Sequence, residues 1–294
     1  MHKVKIMLTG ASGQVGQSII NSCDSNYYIT PLTRNDLDLT NENQIVRVVR
    51  DVRPDIIINP AAYTDVEMAE EQSDEAYLVN SMAPGVMARE ANKLGIPLIH
   101  FSTDYVFDGT KIEPYKEIDT PNPINVYGKT KLHGEIAIQK QTNLYYIFRT
   151  SWVFSSSGKN FFTTMLKLFK KQKELNVIND QYGAPTSSDL IAYKLFLFLN
   201  TVLLQKKSKN LYGIYNLTSS GATNWHNYAK QIYKIYDQKN TVDIFPVSSK
   251  NYITKSQRPE MSILDNTKLD DIIGKTDDFW EVVLQKEYNK LINS

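Results

Sequence analysis

The chain has 294 residues, 41% of them hydrophobic and 22% charged, with a formal net charge of +1. That composition suits a soluble globular protein with a sizeable core, and the near-neutral charge gives no electrostatic ground for a nucleic-acid or anionic-membrane partner. The single cysteine, Cys23, excludes an internal disulfide and points to a reducing compartment.

Met1-His2-Lys3-Val4-Lys5 leads straight into a strand with no apolar leader, so a cytoplasmic location is expected. Val4 to Thr9 is short, apolar and β-favouring, and reads as a buried strand. It runs into Gly10-Ala11-Ser12-Gly13-Gln14-Val15-Gly16, with a helix expected through Ser18 to Ile20. A strand, a glycine-rich turn and a helix N-terminus together make a pyrophosphate site. Glycines admit the phosphates close to the backbone, and the helix end offers free N–H groups. The spacing is GxxGxxG, not the commoner GxGxxG.

Strand and helix signals then alternate. Tyr28 to Leu32 reads as a strand, Glu42 to Arg50 as a helix, and Ile56 to Asn59 as a strand. Ser73 or Asp74 caps one long helix running to about Leu94, with Gly95 as its stop. Leu98 to Ser102 is the next strand, and Glu113 to Pro123 is a surface loop. A helix at Tyr127 and a strand at Tyr145 to Arg149 complete a doubly wound parallel sheet, an α/β Rossmann-like fold. The expected division is a dinucleotide-binding domain over 1–150 and a smaller α/β, mainly substrate-binding domain over 151–294. A helix is expected from Trp225 to Tyr236, and some later segments have room to return to the sheet. The lysines between Lys167 and Lys173 read as a solvated helix face. The apolar run Leu195 to Leu204 is too short to span a bilayer. Asn216-Leu217-Thr218 matches a glycosylation sequon that a cytoplasmic chain would leave unused.

Tyr127 and Lys131 stand four residues apart at a helix start, hence on one helical face. A phenol beside an ammonium suits proton donation to a carbonyl under reduction, with the positive charge lowering the tyrosine pKa. Thr103 is expected at the carboxyl end of a strand, where open α/β sheets bind ligands. Its hydroxyl would hold the carbonyl oxygen. The histidines His2, His100, His133 and His226 show no metal-ligand spacing.

A glycine turn, then a threonine, then Tyr-x-x-x-Lys is the order of the short-chain dehydrogenase/reductase superfamily. Within it, Asn59 to Val66, Ser102 to Phe107, Asn125 to Lys131, Arg149 to Phe154, Val177 to Thr186 and Ser256 to Pro259 resemble the dTDP-4-dehydrorhamnose reductase family, almost end to end. The resemblance implies reduction of the C4 ketone of dTDP-4-dehydro-L-rhamnose, the last step of dTDP-L-rhamnose synthesis for cell-surface polysaccharide. It implies a dinucleotide lined by Gly10, Gly13, Gln14, Val15, Gly16, Asp38, Leu39, Ala61, Ala62, Tyr63, Thr64 and Phe101, with Lys131 on the nicotinamide ribose. Asp104 and Trp152 would meet a dTDP-sugar substrate, and Arg258 would clamp its diphosphate through the guanidinium fork. Arg34 follows the second strand where an acid normally holds the ribose 2′-hydroxyl, so NADPH is expected, with NADH also usable.

Some members of that family dimerise through Mg²⁺ held by carboxylates. Ser18 stands here where one would be, Asp189 is a shorter acid at the second position, and Glu281 and Glu287 are candidates for the third. No metal is therefore expected, and the protein is read as a monomer or a metal-independent homodimer. Two alternatives stay open. One is another nucleotide-sugar reductase or epimerase; dehydratases carry Asp-Glu after the threonine, where this chain has Asp104-Tyr105. The other is a non-catalytic subunit resembling the regulatory beta subunit of methionine adenosyltransferase.

Overall fold

The computed structural model describes residues 3–204, 211–236, 242–252 and 254–293. β1 (Val4–Leu8), α1 (Gln14–Asn21), β2 (Tyr27–Pro31), α2 (Glu42–Val52) and β3 (Ile56–Asn59) alternate from the start. The short helices α3 (Val66–Ala69) and α4 (Ser73–Tyr77) follow, then α5 (Ala83–Leu94), β4 (Leu98–Thr103), α6 (Val126–Gln141) and β5 (Tyr145–Thr150). Beyond them come β6 (Val153–Phe154), α7 (Phe161–Phe169), β7 (Glu174–Ile178), β8 (Tyr182–Gly183), β9 (Thr186–Ser187) and α8 (Ser188–Leu199). The chain ends with β10 (Gly213–Asn216), β11 (Thr223–Asn224), α9 (Trp225–Ile235), β12 (Asp243–Val247), α10 (Thr267–Ile273) and α11 (Trp280–Ile292).

The main sheet has the order β10-β5-β4-β3-β1-β2, and each neighbouring pair is parallel. Strands of such a sheet are covered on both faces, so they read as unbroken apolar runs. Ile56 and Ile58 point into one layer with Ile6, Leu8 and the helices α1 and α8. Ile57 points the other way, toward Met7, α2 and α5. A separate core, built on Phe154, Phe162, Tyr228, Ile232 and Leu284, holds the second lobe together.

One element differs from the sequence reading. The helix expected from 73 to 94 is broken by a π-helical turn, Leu78–Met82, between α4 and α5. Pro84 has no N–H to give to the carbonyl four residues back, which favours the wider turn. The sheet also has a sixth strand, β10, supplied by the second half of the chain on the edge beside β5. Its Asn216 is fully buried and donates to the carbonyls of Tyr115 and Asp265, which closes the sequon to modification in the folded chain. The apolar run that starts at Leu195 forms the end of α8, where Leu195, Phe198 and Leu199 are core residues. No helix among the described residues is long and apolar enough to cross a membrane.

Ion pairs without solvent fix the elements that carry the site. Arg149 of β5 forks onto Glu135 of α6 at 3.0 and 2.7 Å, and Ser102 of β4 donates to the same carboxylate at 2.5 Å. Breaking such a buried pair from one side costs about 3–5 kcal/mol, because the remaining charge is stranded. β4, β5 and α6 are thereby locked in one register.

Candidate active site

The turn after β1 is built from glycines because nothing larger fits. Gly10 has φ 58°, and a Cβ there would stand 2.9 Å from Ala61. A Cβ on Gly16 would stand 2.3 Å from the Gly10 carbonyl oxygen. Gly13 caps α1 without a side-chain acceptor, so the first helical N–H groups face outward. They face a cavity of about 1080 Å³ running along the carboxyl ends of the strands. Gln14 accepts from Ser155 and Asn160, both at 2.8 Å, and so joins the glycine turn to the second lobe.

The expected dinucleotide residues gather on this cavity with one exception. Gly10, Gly13, Gln14, Val15 and Gly16 form one end, with Arg34, Asp38 and Leu39 beyond β2, and Ala61, Ala62 and Thr64 beyond β3. Phe101 lies on the floor. Tyr63 is the exception. Its ring turns outward, and its hydroxyl donates to Gln72 at 2.6 Å. Asp38 receives the Thr40 backbone N–H and hydroxyl, which hold its carboxyl below the usual range, helped by the Arg34 charge.

Thr103, Tyr127 and Lys131 meet on the same wall. Thr103 ends β4, and its hydroxyl donates to Asp104 at 3.0 Å and accepts from the Tyr105 N–H at 3.2 Å. Asn125 caps α6 by accepting from the Gly128 N–H at 2.8 Å, which sets Tyr127 in the first turn. The half-buried phenol is pushed up to about 12 by burial; a hydrogen bond with Thr103 opposes this, and the Asp104 charge adds to it. That corrects the expectation that Lys131 lowers it. The two residues share a helical face, but the Lys131 ammonium turns toward the sheet and donates to the Phe101 carbonyl at 2.6 Å. Burial brings Lys131 itself down to about 7.

Asp104 is buried, and loss of water raises its carboxyl to about 7. Its Oδ2 has no hydrogen-bond partner among the described residues. Arg258 also lines the cavity; its Nη2 donates to Glu67 at 3.1 Å, while its buried Nε has no partner among the described residues. Buried groups left without partners are strained unless a ligand meets them. Trp152 holds φ 47°, rare for a bulky residue, and its ring stacks on Trp225 at 3.5 Å and 8°. Phe161 packs beside Trp225 at 4.7 Å. Trp225, Phe161, Lys159 and Tyr228 complete this end of the cavity. Sequence reasoning missed them because each belongs to a helix start or loop with no motif of its own. The buried His100, passed over as a metal ligand, lies 3.2 Å from the Lys131 ammonium.

Among the described residues no group of three or more His, Cys, Asp or Glu could hold a metal, and His2 lies outside them. The Asp189 carboxylate is engaged by Ser18 at 2.6 Å and Lys290 at 2.7 Å. Glu287 is turned to the Ser156 N–H at 2.8 Å, and Glu281 is exposed. Ser18 brings no charge, and Asp189 and Glu287 are met by protein donors, so these positions do not present the carboxylate oxygens that magnesium takes.

Residues 4–292 match the family described as RmlD substrate binding domain. A dTDP-4-dehydrorhamnose reductase of Burkholderia thailandensis is 38% identical over 278 residues, covering 92% of this chain and 93% of the relative. The Escherichia coli K12 enzyme of that name is 36% identical, covering 99% of each chain. The crystal structure of dTDP-4-dehydrorhamnose reductase from Bacillus anthracis, in complex with NADP, matches with a TM-score of 0.90 and 34% identity, covering 98% of this chain and 100% of that one. A Thermus thermophilus UDP-glucose 4-epimerase shares the fold, with a TM-score of 0.79 at 16% identity over 99% of each chain.

Proposed function

The chain belongs to the dTDP-4-dehydrorhamnose reductase family, and on that premise we propose that it reduces the C4 ketone of dTDP-4-dehydro-L-rhamnose with NADPH to give dTDP-L-rhamnose. The observation that carries this reading is the convergence of Thr103, Tyr127 and Lys131 with the glycine turn on one cavity. The residues present fit a dinucleotide. A side chain at Gly10 or Gly16 would fill the cradle, and the cradle opens on the N-terminus of α1. Arg34 lines the same cavity beyond β2, and its guanidinium suits a 2′-phosphate. NADPH bound there supplies the hydride to the C4 carbon.

The chain's own residues supply the proton and the orientation. Tyr127, held near 12, is a protonated phenol at neutral pH and therefore a donor to the alkoxide that develops at C4. Thr103 positions the carbonyl oxygen against that phenol. Lys131 steadies the nicotinamide ribose with its ammonium. Asp104, with its unpaired oxygen, and Trp152 contact the sugar. Arg258 takes the diphosphate, exchanging Glu67 for a stronger anion. Residues up to about 150 carry the dinucleotide, and most of the rest carries the sugar nucleotide. The enzyme acts in the cytoplasm, as a monomer or a homodimer that needs no metal.

The test supplies the keto-sugar, generated in situ, with NADPH and identifies the product by mass and NMR. Formation of dTDP-L-rhamnose is expected. Recovery of the 4-epimer alone would overturn the product assignment, and no turnover would favour a non-catalytic role.

A further inference from the structure

Lys131 is held from below by one carbonyl and one ring. The ring is His100 of β4, fully buried, with Nε2 3.2 Å from the lysine Nζ. Its Nδ1 lies 3.1 Å from Asn59 Nδ2 on β3, and Asn59 Oδ1 lies 2.5 Å from the Thr9 hydroxyl at the end of β1. Asn59 and His100 are register partners, and Thr9 immediately precedes Gly10. A row of side chains thus crosses three adjacent strands, from Lys131 to the glycine turn.

Donor and acceptor counting restricts this row. If the Asn59 amide donates to Nδ1, the neutral ring carries its proton on Nε2 and aims it at Lys131. An ammonium has no lone pair to receive it, so that arrangement requires a neutral lysine. If the amide is turned over, its oxygen accepts from Nδ1–H and its NH₂ meets Thr9. Nε2 is then a bare acceptor for an ammonium. A charged lysine therefore requires the Nδ1–H tautomer, with Nε2 as its acceptor. The ring does not itself take the charge: burial, and then Lys131, hold its pKa well below the usual imidazole value.

We propose that His100 is a positioning residue for Lys131. Its neutral ring, oriented by Asn59, gives the ammonium its inward acceptor and keeps the lysine charged for the reaction. The inference rests on the role given to Lys131 above. The other ionisable groups around the pair are Glu135, one turn along α6, which favours the ammonium; Arg149 of β5, which is bound to Glu135; and Tyr127 and Asp104 toward the cavity. β3 and β1 contribute the neutral Asn59 and Thr9.

His100→Leu removes the acceptor, and His100→Gln retains one. The pH dependence of kcat/KM for keto-sugar reduction should show an alkaline limb displaced to lower pH in the leucine variant. The displacement should be about one pH unit, the scale of a lost charge-assisted hydrogen bond. The glutamine variant should bring the limb back toward wild type. A limb in His100→Leu that coincides with wild type would reduce His100 to core packing and overturn the proposal. A second measurement needs neither turnover nor a variant. Imidazole ¹⁵N shifts of the wild-type protein should report an Nδ1–H ring with an unprotonated Nε2 while Lys131 is charged, and the Nε2 shift should move as the Lys131 side chain titrates. A ring protonated on Nε2 while Lys131 is charged, or an Nε2 shift blind to the Lys131 titration, would also overturn it. Absence of wild-type turnover would sink the assigned reaction, yet the ¹⁵N titration would still decide the His100–Lys131 coupling.

Discussion

Gly128→Ala is a small change that should damage catalysis far more than folding. Gly128 lies in the first turn of α6, between Tyr127 and the rest of the helix. A Cβ placed there would stand 2.1 Å from the Tyr105 carbonyl oxygen and 2.9 Å from its carbon. Both are backbone atoms, so no rotamer change relieves the clash. Ordinary contact requires the helix and the turn to part by roughly 1 Å or more. That turn runs from Asp104 to Val106 and starts directly from Thr103. The separation therefore falls between Tyr127 on one side and Thr103 with Asp104 on the other. Overpacking of this kind costs about 1–3 kcal/mol, a few degrees in Tm for a chain of this size. A misplacement of about 1 Å between reacting groups costs on the order of 100-fold in rate. NADPH affinity should hardly change, because the glycine turn after β1 is untouched. The assay is kcat on the keto-sugar, NADPH Kd by fluorescence, and Tm. A folded Gly128→Ala protein with wild-type kcat would refute the claim that this contact sets the distance between Thr103 and Tyr127.

Asp104 carries a pH signature. Its carboxyl is raised in the folded chain to about 7 from 3.8, so between those values the folded state binds more protons than the unfolded one. Stability then falls as pH rises through that window, and Asp104→Asn should lie above wild type by an amount that grows from pH 5 to pH 8, on the order of a few kcal/mol. Urea midpoints for both proteins at the two pH values measure it; a constant gap would show that the carboxyl is not raised. Arg34→Ala should lower kcat/KM with NADPH about tenfold and leave NADH nearly unchanged, the loss of one charge-assisted contact. Equal losses with both cofactors would remove Arg34 from the 2′-phosphate. Activity and light-scattering mass should be the same in Mg²⁺ and in EDTA, because Lys290 and Ser18 already engage Asp189. A dimer that dissociates in EDTA with loss of activity would contradict this.

The parallel sheet was legible because strands covered on both faces have no polar alternation to hide them, as in Ile56-Ile57-Ile58. The glycine turn and the Tyr127–Lys131 spacing were legible because both are local. The direction of the Lys131 side chain was not. It depends on the Phe101 carbonyl and the His100 ring, which β4 places under α6 only after the sheet has formed. The direction of the Tyr63 ring was hidden for the same reason: its neighbours line the cavity, and only the hydroxyl contact with Gln72 shows the ring turned outward. Trp152 was named in advance, but Trp225, on which it stacks, and Phe161 beside that ring come from segments far apart in sequence and carry no motif. A return of later segments to the sheet was expected, but β10 itself could not be placed because it is four residues long and begins with glycine.

In the proposed reaction Tyr127 delivers the proton to the reduced C4 oxygen. Tyr127→Phe tests it most directly, by kcat on the keto-sugar generated in situ and NADPH Kd measured on the same preparation. The phenol acts only as charge develops, so kcat should fall by about 100-fold or more while Kd stays nearly unchanged. Turnover near wild type with intact NADPH binding would contradict the account.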